Sequence, residues 1–235
     1  MAYIYEYIRT RGDKPLNFEE HYLRLDDLMN ELFYARLQLP REELKQRISN
    51  ALRQMNYSDR AINAVCVKVN PFDTEPEIEI EEIFYEEFAV RALRPQGFTH
   101  PVGGELILKS CSARAALLDI NRAMTQNSSE EVAIWTNAID EVIAIDGAPA
   151  IAVFDDEIRF SNSGSGVEFD LAYEAMLDTT QNVTRAPIHT SDLNRAKEVM
   201  GIDHRGIVLL NSYDEHYYMD LTALRIAAEV AEREG

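Results

Sequence analysis

Cysteine is nearly absent from this chain of 235 residues; Cys66 and Cys111 are the only two. Two cysteines cannot build the disulfide framework of a small secreted domain, so reduced thiols and a cytoplasmic location are expected. No apolar run approaches the roughly 20 residues that a membrane-crossing helix needs. The opening residues MAYIYEYIRTRGDK carry charge early and no apolar stretch, so no leader peptide is expected. Positive charge is also scarce: 23 Lys and Arg face 41 Asp and Glu, a formal net charge of −18. That balance argues against nucleic acid and against an anionic membrane surface, both of which need a basic footprint. A small anionic ligand is compatible with it, because a local basic pocket can sit inside an acidic protein. The sequence has no internal repeat or low-complexity run, and no P-loop, G-x-G-x-x-G, G-x-S-x-G or H-E-x-x-H.

What is present is material for a core. Hydrophobic residues make up 46% of the chain, which excludes disorder and suits one or two domains. Tyr3–Ile8 is aromatic and β-branched, the signature of a strand, and Gly12-Asp13-Lys14-Pro15 is a turn. Leu25, Leu28, Met29, Leu32 and Phe33 recur at helical spacing, which predicts a helix over about 18–35. Pro40 opens a second helix with Leu44, Ile48, Leu52 and Met55 on one stripe. Val65, Val67 and Val69 alternate as in a strand, as do Ile78 and Ile80 between Glu77, Glu79 and Glu81. This β-α-α-β-β order predicts a small α+β domain over 1–95. Pro95, Pro101 and three glycines break the pattern over 93–104, so 96–104 is expected to be a linker and 105–235 a second domain. In that domain Leu117, Ile120 and Met124 mark a helix. Val132–Trp135, Val142–Ile145, Ile151–Phe154 and Ile158–Phe160 read as strands. Further helices are expected after Ser161–Gly166, over about 191–200 behind Ser191, and after Asp220, with a strand at Gly206–Leu210. Without regular βαβ alternation the fold class is α+β.

Four places could carry chemistry. His204 and His216 lie near Asp203, Asp214 and Glu215, but their spacing fits no defined metal site, and exposed polar residues at strand ends is the better reading. Arg24 lies one step off the apolar stripe of the first helix and near its start, where side-chain and helix potentials together suit a phosphate. Lys109 ends the apolar run Leu106-Ile107-Leu108, and an amine in a partly desolvated pocket is what Schiff-base chemistry requires. Local physics alone favours an ordinary surface residue at both positions. The Ser161–Gly166 loop runs into a helix and offers backbone N–H groups to an anion, a weak signal by itself.

These pieces fall in the order of a known family. Tyr5-Glu6-Tyr7-Ile8-Arg9 followed by Glu20-His21-Tyr22-Leu23-Arg24-Leu25 resembles the N-terminal pattern of the class IV aminotransferases. These are the fold-type IV pyridoxal-phosphate enzymes, which include branched-chain and D-amino-acid aminotransferases and aminodeoxychorismate lyase. Lys109-Ser110-Cys111-Ser112-Ala113-Arg114 is similar to the segment that carries the family's Schiff-base lysine. Asp146-Gly147-Ala148-Pro149-Ala150-Ile151 and Gly166-Val167 resemble later family stretches, as does Asp192-Leu193 with Ala196-Lys197-Glu198-Val199. The resemblance spans nearly the whole chain, which begins at about the family's second strand.

The resemblance implies a two-domain fold-type IV architecture and pyridoxal 5'-phosphate as cofactor. It implies Lys109 as the catalytic lysine, Arg24 on the cofactor phosphate, and the Gly166–Val167 helix start beside that phosphate. It also implies an amino acid or aminodeoxychorismate as substrate, and a homodimer. The family glutamate on the pyridine nitrogen aligns with Ala144 without a gap and with Asp146 after a short one. The family asparagine falls near Pro149–Ile151, and the phosphate-site threonine near Asp203-His204. These departures leave a second expectation beside the enzyme: a homologue without catalysis, acting in binding or assembly.

Overall fold

The structure is a computed structural model that describes residues 2–72, 75–82, 87–102, 109–125, 130–179 and 182–234, with the side chains of 121–125 excluded. Two compact units emerge. One comprises residues 1–87 together with 109–115 and 234–235, the other 88–108 and 116–233.

The first unit contains β1 (Ile4–Arg11), β2 (Lys14–Pro15), α1 (Phe18–Phe33), α2 (Arg41–Gln54), β3 (Ile62–Val69) and β4 (Glu77–Glu82). The strands form one antiparallel sheet in the order β2-β1-β3-β4. The register sets Ile4 against Val69, Glu6 against Val67 and Ile8 against Val65, so these six residues share a face. That face carries the core: Ile4, Ile8, Val65, Val67 and Val69 pack with Leu25, Leu28 and Met29 of α1 and with Leu44, Ile48 and Leu52 of α2. Glu6 is therefore a carboxylate in the middle of an apolar face, and it is buried. α1 ends where Tyr34 turns left-handed (φ 53°) and its N–H bonds the Asn30 carbonyl, closing the last turn. Gly12 turns the β1–β2 hairpin at φ 60°, where a Cβ would stand 2.9 Å from the Asp59 carbonyl.

Two distant pieces of chain belong to this unit. The Tyr5 N–H donates to the Ser110 carbonyl at 2.9 Å and the Ser112 N–H to the Tyr3 carbonyl at 3.0 Å, which pins the lysine segment to β1. Arg9 forms a fully buried ion pair with Glu234.

The second unit contains β5 (Gln96–Pro101), β6 (Glu131–Thr136), β7 (Val142–Ile145), β8 (Ala148–Val153), β9 (Ile158–Ser161), β10 (Val183–Ala186), β11 (Glu198–Asp203), β12 (Gly206–Leu209), β13 (Ser212–Tyr213) and β14 (His216–Tyr217). With them run α4 (Val167–Thr179), the single turn α5 (Thr190–Leu193) and α6 (Leu221–Arg233); most of α3 (Ser112–Thr125) also belongs here. The sheet runs β10-β9-β8-β7-β6-β5-β13-β14, with β11 on β8 and β12 on β11. α4 and α6 bury Phe169, Met176, Ile226 and Val230 against Phe160, Ile202 and Leu209 of the strands. A second cluster gathers Ile134, Ile145, Ala152, Leu193, Val199 and Val208.

The mixed α+β class is as expected from the sequence; three local details differ. Much of the stretch read as a linker is a strand: β5 pairs in parallel with β6 and with β13. Pro95 precedes this strand and Pro101 ends it, so neither ring removes a ladder donor from its middle. Gly103 and Gly104 lie outside the described residues, as does the run Glu105–Leu108 before Lys109. The helix expected over about 191–200 stops after one turn, at Leu193. Glu198–Asp203 instead pairs with β8 and β12, because its buried Val199, Met200 and Ile202 suit a central strand. β10, β13 and β14 carry no periodicity that the sequence reading could use.

Candidate functional site

β1 and α1 of the first unit build a charged cluster around Glu6. His21 and Arg24 are three residues apart on α1 and so lie on one face. His21 Nδ1 lies 2.9 Å from Glu6 Oε1, and Arg24 Nε donates to Glu6 Oε2 at 3.1 Å. Burial alone would raise the Glu6 carboxyl, but the Arg24 charge and the His21 hydrogen bond outweigh it and hold it below the usual carboxylate range. Arg24 sits in the second turn of α1, about 9 Å along the axis from its start, so it is placed by Glu6 and not by the helix N–H groups.

Lys109 lies at the edge of the same unit with its side chain 30% exposed, and Nζ donates to the carboxylate of Glu31. Glu31 is in the last turn of α1, on the stripe that runs His21, Arg24, Leu28, Glu31. Tyr5 brings a further polar group close to the lysine segment. It is 6% exposed, and its hydroxyl has no hydrogen-bond partner among the described residues. Burial pushes the phenol up to about 12 against the opposing pull of Arg114.

Asp146, Gly166 and Val167 lie in the second unit. Asp146 (φ 51°) and Gly147 (φ 75°) form the tight turn between β7 and β8, a pair of left-handed positions that suits the hairpin twist. The Asp146 carboxylate pairs with Arg91 Nη1 at 2.9 Å and with Arg205 Nη1 at 3.2 Å. Arg91 and Arg205 also hold Asp203. Burial would raise that carboxyl, but the two guanidiniums, with His204, bring it far below its usual range. Ala144 presents a methyl group within the apolar cluster of Trp135, Ile143 and Val102. α4 begins at Val167, which is buried, and a Cβ on Gly166 would meet only Phe169, at 3.9 Å. The first turn of α4 also carries Glu168 and Asp170, so acidic side chains already complement its positive end. Among the described residues no three His, Cys, Asp or Glu group as metal ligands, and His216 Nε2 lies 2.7 Å from the Ala196 carbonyl.

Sequence reasoning singled out Lys109 and Arg24 as candidates but missed the groups that hold their side chains, Glu31 and Glu6. Glu6 was detectable in principle, as a charge at an inward position between Ile4 and Ile8. The Lys109–Glu31 pair spans 78 positions of chain and leaves no local signal.

No protein-family model matches the chain, and no curated protein sequence is significantly similar to it. Solved structures do match in fold. A candidate branched-chain amino acid aminotransferase from Thermotoga maritima superimposes with a TM-score of 0.81 at 13% identity, covering 99% of this chain and 86% of that one. A candidate 4-amino-4-deoxychorismate lyase from Legionella pneumophila gives 0.79 at 11% identity, over 98% and 91% of the two chains. An aminotransferase from Brucella abortus, solved with bound PLP, gives 0.79 at 12% identity, over 98% and 88%. The chain therefore has the fold of the class IV aminotransferases and aminodeoxychorismate lyase.

Proposed function

We propose that this protein is a pyridoxal-phosphate-dependent enzyme acting on an amino acid, by transamination or by lyase chemistry on aminodeoxychorismate. The observation that carries this reading is the placement of Arg24 and Lys109 from one strand, through Glu6 and through the Tyr5–Ser110 hydrogen bond. The residues present fit such a cofactor: an amine, an oriented guanidinium, and a buried Tyr5 hydroxyl that has no hydrogen-bond partner among the described residues. When bound, the cofactor supplies a ring that accepts electrons from the substrate's α-carbon.

Arg24 binds the phosphate, and Glu6 and His21 fix its guanidinium so that little orientation is lost on binding. The resemblance also assigns phosphate contact to the backbone N–H groups of Gly166 and Val167 at the start of α4. Lys109 would hold the cofactor through Nζ, and the same amine would move a proton to and from the substrate's α-carbon. Asp146, which pairs with Arg91 and Arg205, is the candidate carboxylate for the ring nitrogen. The site is completed in a homodimer, and the protein works in the cytoplasm.

A second reading, a homologue without catalysis that acts in binding or assembly, is favoured by one observation: Ala144 is apolar and Asp146 already serves two guanidiniums. Colour separates the two. The enzyme purifies yellow, with a visible absorption band that borohydride abolishes and that Lys109→Ala removes. A protein that stays colourless after incubation with pyridoxal phosphate overturns the first reading.

A further inference from the structure

Lys109 is not a freely solvated amine: its Nζ is paired with Glu31 across 78 residues of chain. Two independent features of α1 suit that contact. The last turn of the helix holds no basic residue of its own, so the negative end of its dipole takes its cation from elsewhere. Glu31 also follows Arg24 by seven residues on the same stripe, which puts the amine's resting partner about 10.5 Å along the axis from the phosphate anchor. An ammonium in an ion pair is a poor nucleophile; it must leave its carboxylate and lose a proton before its nitrogen can react.

We propose that Glu31 is a positioning residue that holds the Lys109 amine, charged and away from Arg24, until the cofactor arrives. This rests on the reading of Lys109 as the cofactor-binding lysine, but the contact is testable without that reading. The chain has five lysines, and two others are also ion-paired, Lys68 with Glu79 and Lys197 with Asp155, so each molecule carries its own controls. Cofactor-free protein is treated with limiting acetic anhydride near neutral pH, and acetylation is read at each lysine by peptide mass spectrometry.

Glu31→Gln raises labelling of Lys109 by about two- to fivefold relative to Lys14, the scale expected for a partly exposed ion pair, and leaves Lys68 and Lys197 unchanged. Glu31→Asp keeps the charge and restores labelling toward the parent level. Glu31 is 54% exposed, so neither variant threatens the fold. A second arm measures how fast pyridoxal phosphate becomes fixed on Lys109 by borohydride; Glu31→Gln speeds this by a similar factor. Unchanged Lys109 labelling in Glu31→Gln overturns the proposal even where the cofactor is fixed normally. Raised labelling with no cofactor fixed in any variant supports Glu31 as the lysine's partner and removes the cofactor reading.

Discussion

Glu6 shows what one residue can decide. It stands where strand alternation calls for an apolar side chain, and it is tolerated because His21 and Arg24 meet both carboxylate oxygens. Unpairing a buried charge is costly, so Glu6→Gln is expected to lower stability by about 2–3 kcal/mol, the low side for such pairs because Arg24 reaches some solvent. The pH dependence has a definite sign. A carboxyl held below its usual range stabilises the fold above that range, and the contribution is lost as the pH falls through the folded-state value. The gap in urea midpoint between parent and Glu6→Gln is therefore widest at neutral pH and narrows in acid. A gap that widens in acid contradicts the assignment.

At the scale of elements, local periodicity was enough wherever one face of an element meets one core. α1 and α2 follow directly from the spacing of Leu25, Leu28, Met29, Leu44, Ile48 and Leu52. It failed where long-range pairing chose the structure. β5 looks irregular in sequence, yet β6 and β13 supply its ladder, and Gly97 fits there because a Cβ would stand 2.6 Å from Ile134. Ala196-Lys197-Glu198 reads as helix, yet Glu198 opens β11. Its carboxylate, 2% exposed, accepts the N–H groups of Thr222 at 2.7 Å and Ala223 at 2.8 Å, capping the start of α6. Glu198→Ala leaves those donors unsatisfied, at a cost of about 2–3 kcal/mol for charge-assisted bonds. Thermal melting of the variant, followed by helix signal, measures that loss; an unchanged midpoint would mean that water replaces the cap. The candidate site was legible to a similar extent. Lys109 and Arg24 emerge from family resemblance, whereas Glu31, Tyr5, Arg91 and Arg205 act through contacts that only folding creates.

For the molecule as a whole, the charge of −18 would oppose the proposed ligand, which is itself an anion. The cations proposed to receive it are both paired, Arg24 with Glu6 and Lys109 with Glu31, so little local positive field opposes the global one. Salt shortens the reach of such fields, from about 30 Å at 0.01 M to about 8 Å at 0.15 M. The association rate of pyridoxal phosphate, followed by stopped-flow absorbance, is accordingly expected to rise with added salt over this range. A rate that falls with salt would show that the local cations dominate approach. For the proposed ligand a different quantity matters once it arrives: the interval between its two proposed attachment points, Lys109 and Arg24. The lysine segment hangs from the backbone of Tyr5, and the carboxylate that aims Arg24 grows from the next residue, Glu6. One step along an extended strand, about 3.3 Å, therefore separates the two references. That step is a covalent ruler: packing faults elsewhere in the sheet can shift both references together, but they cannot stretch the distance between them.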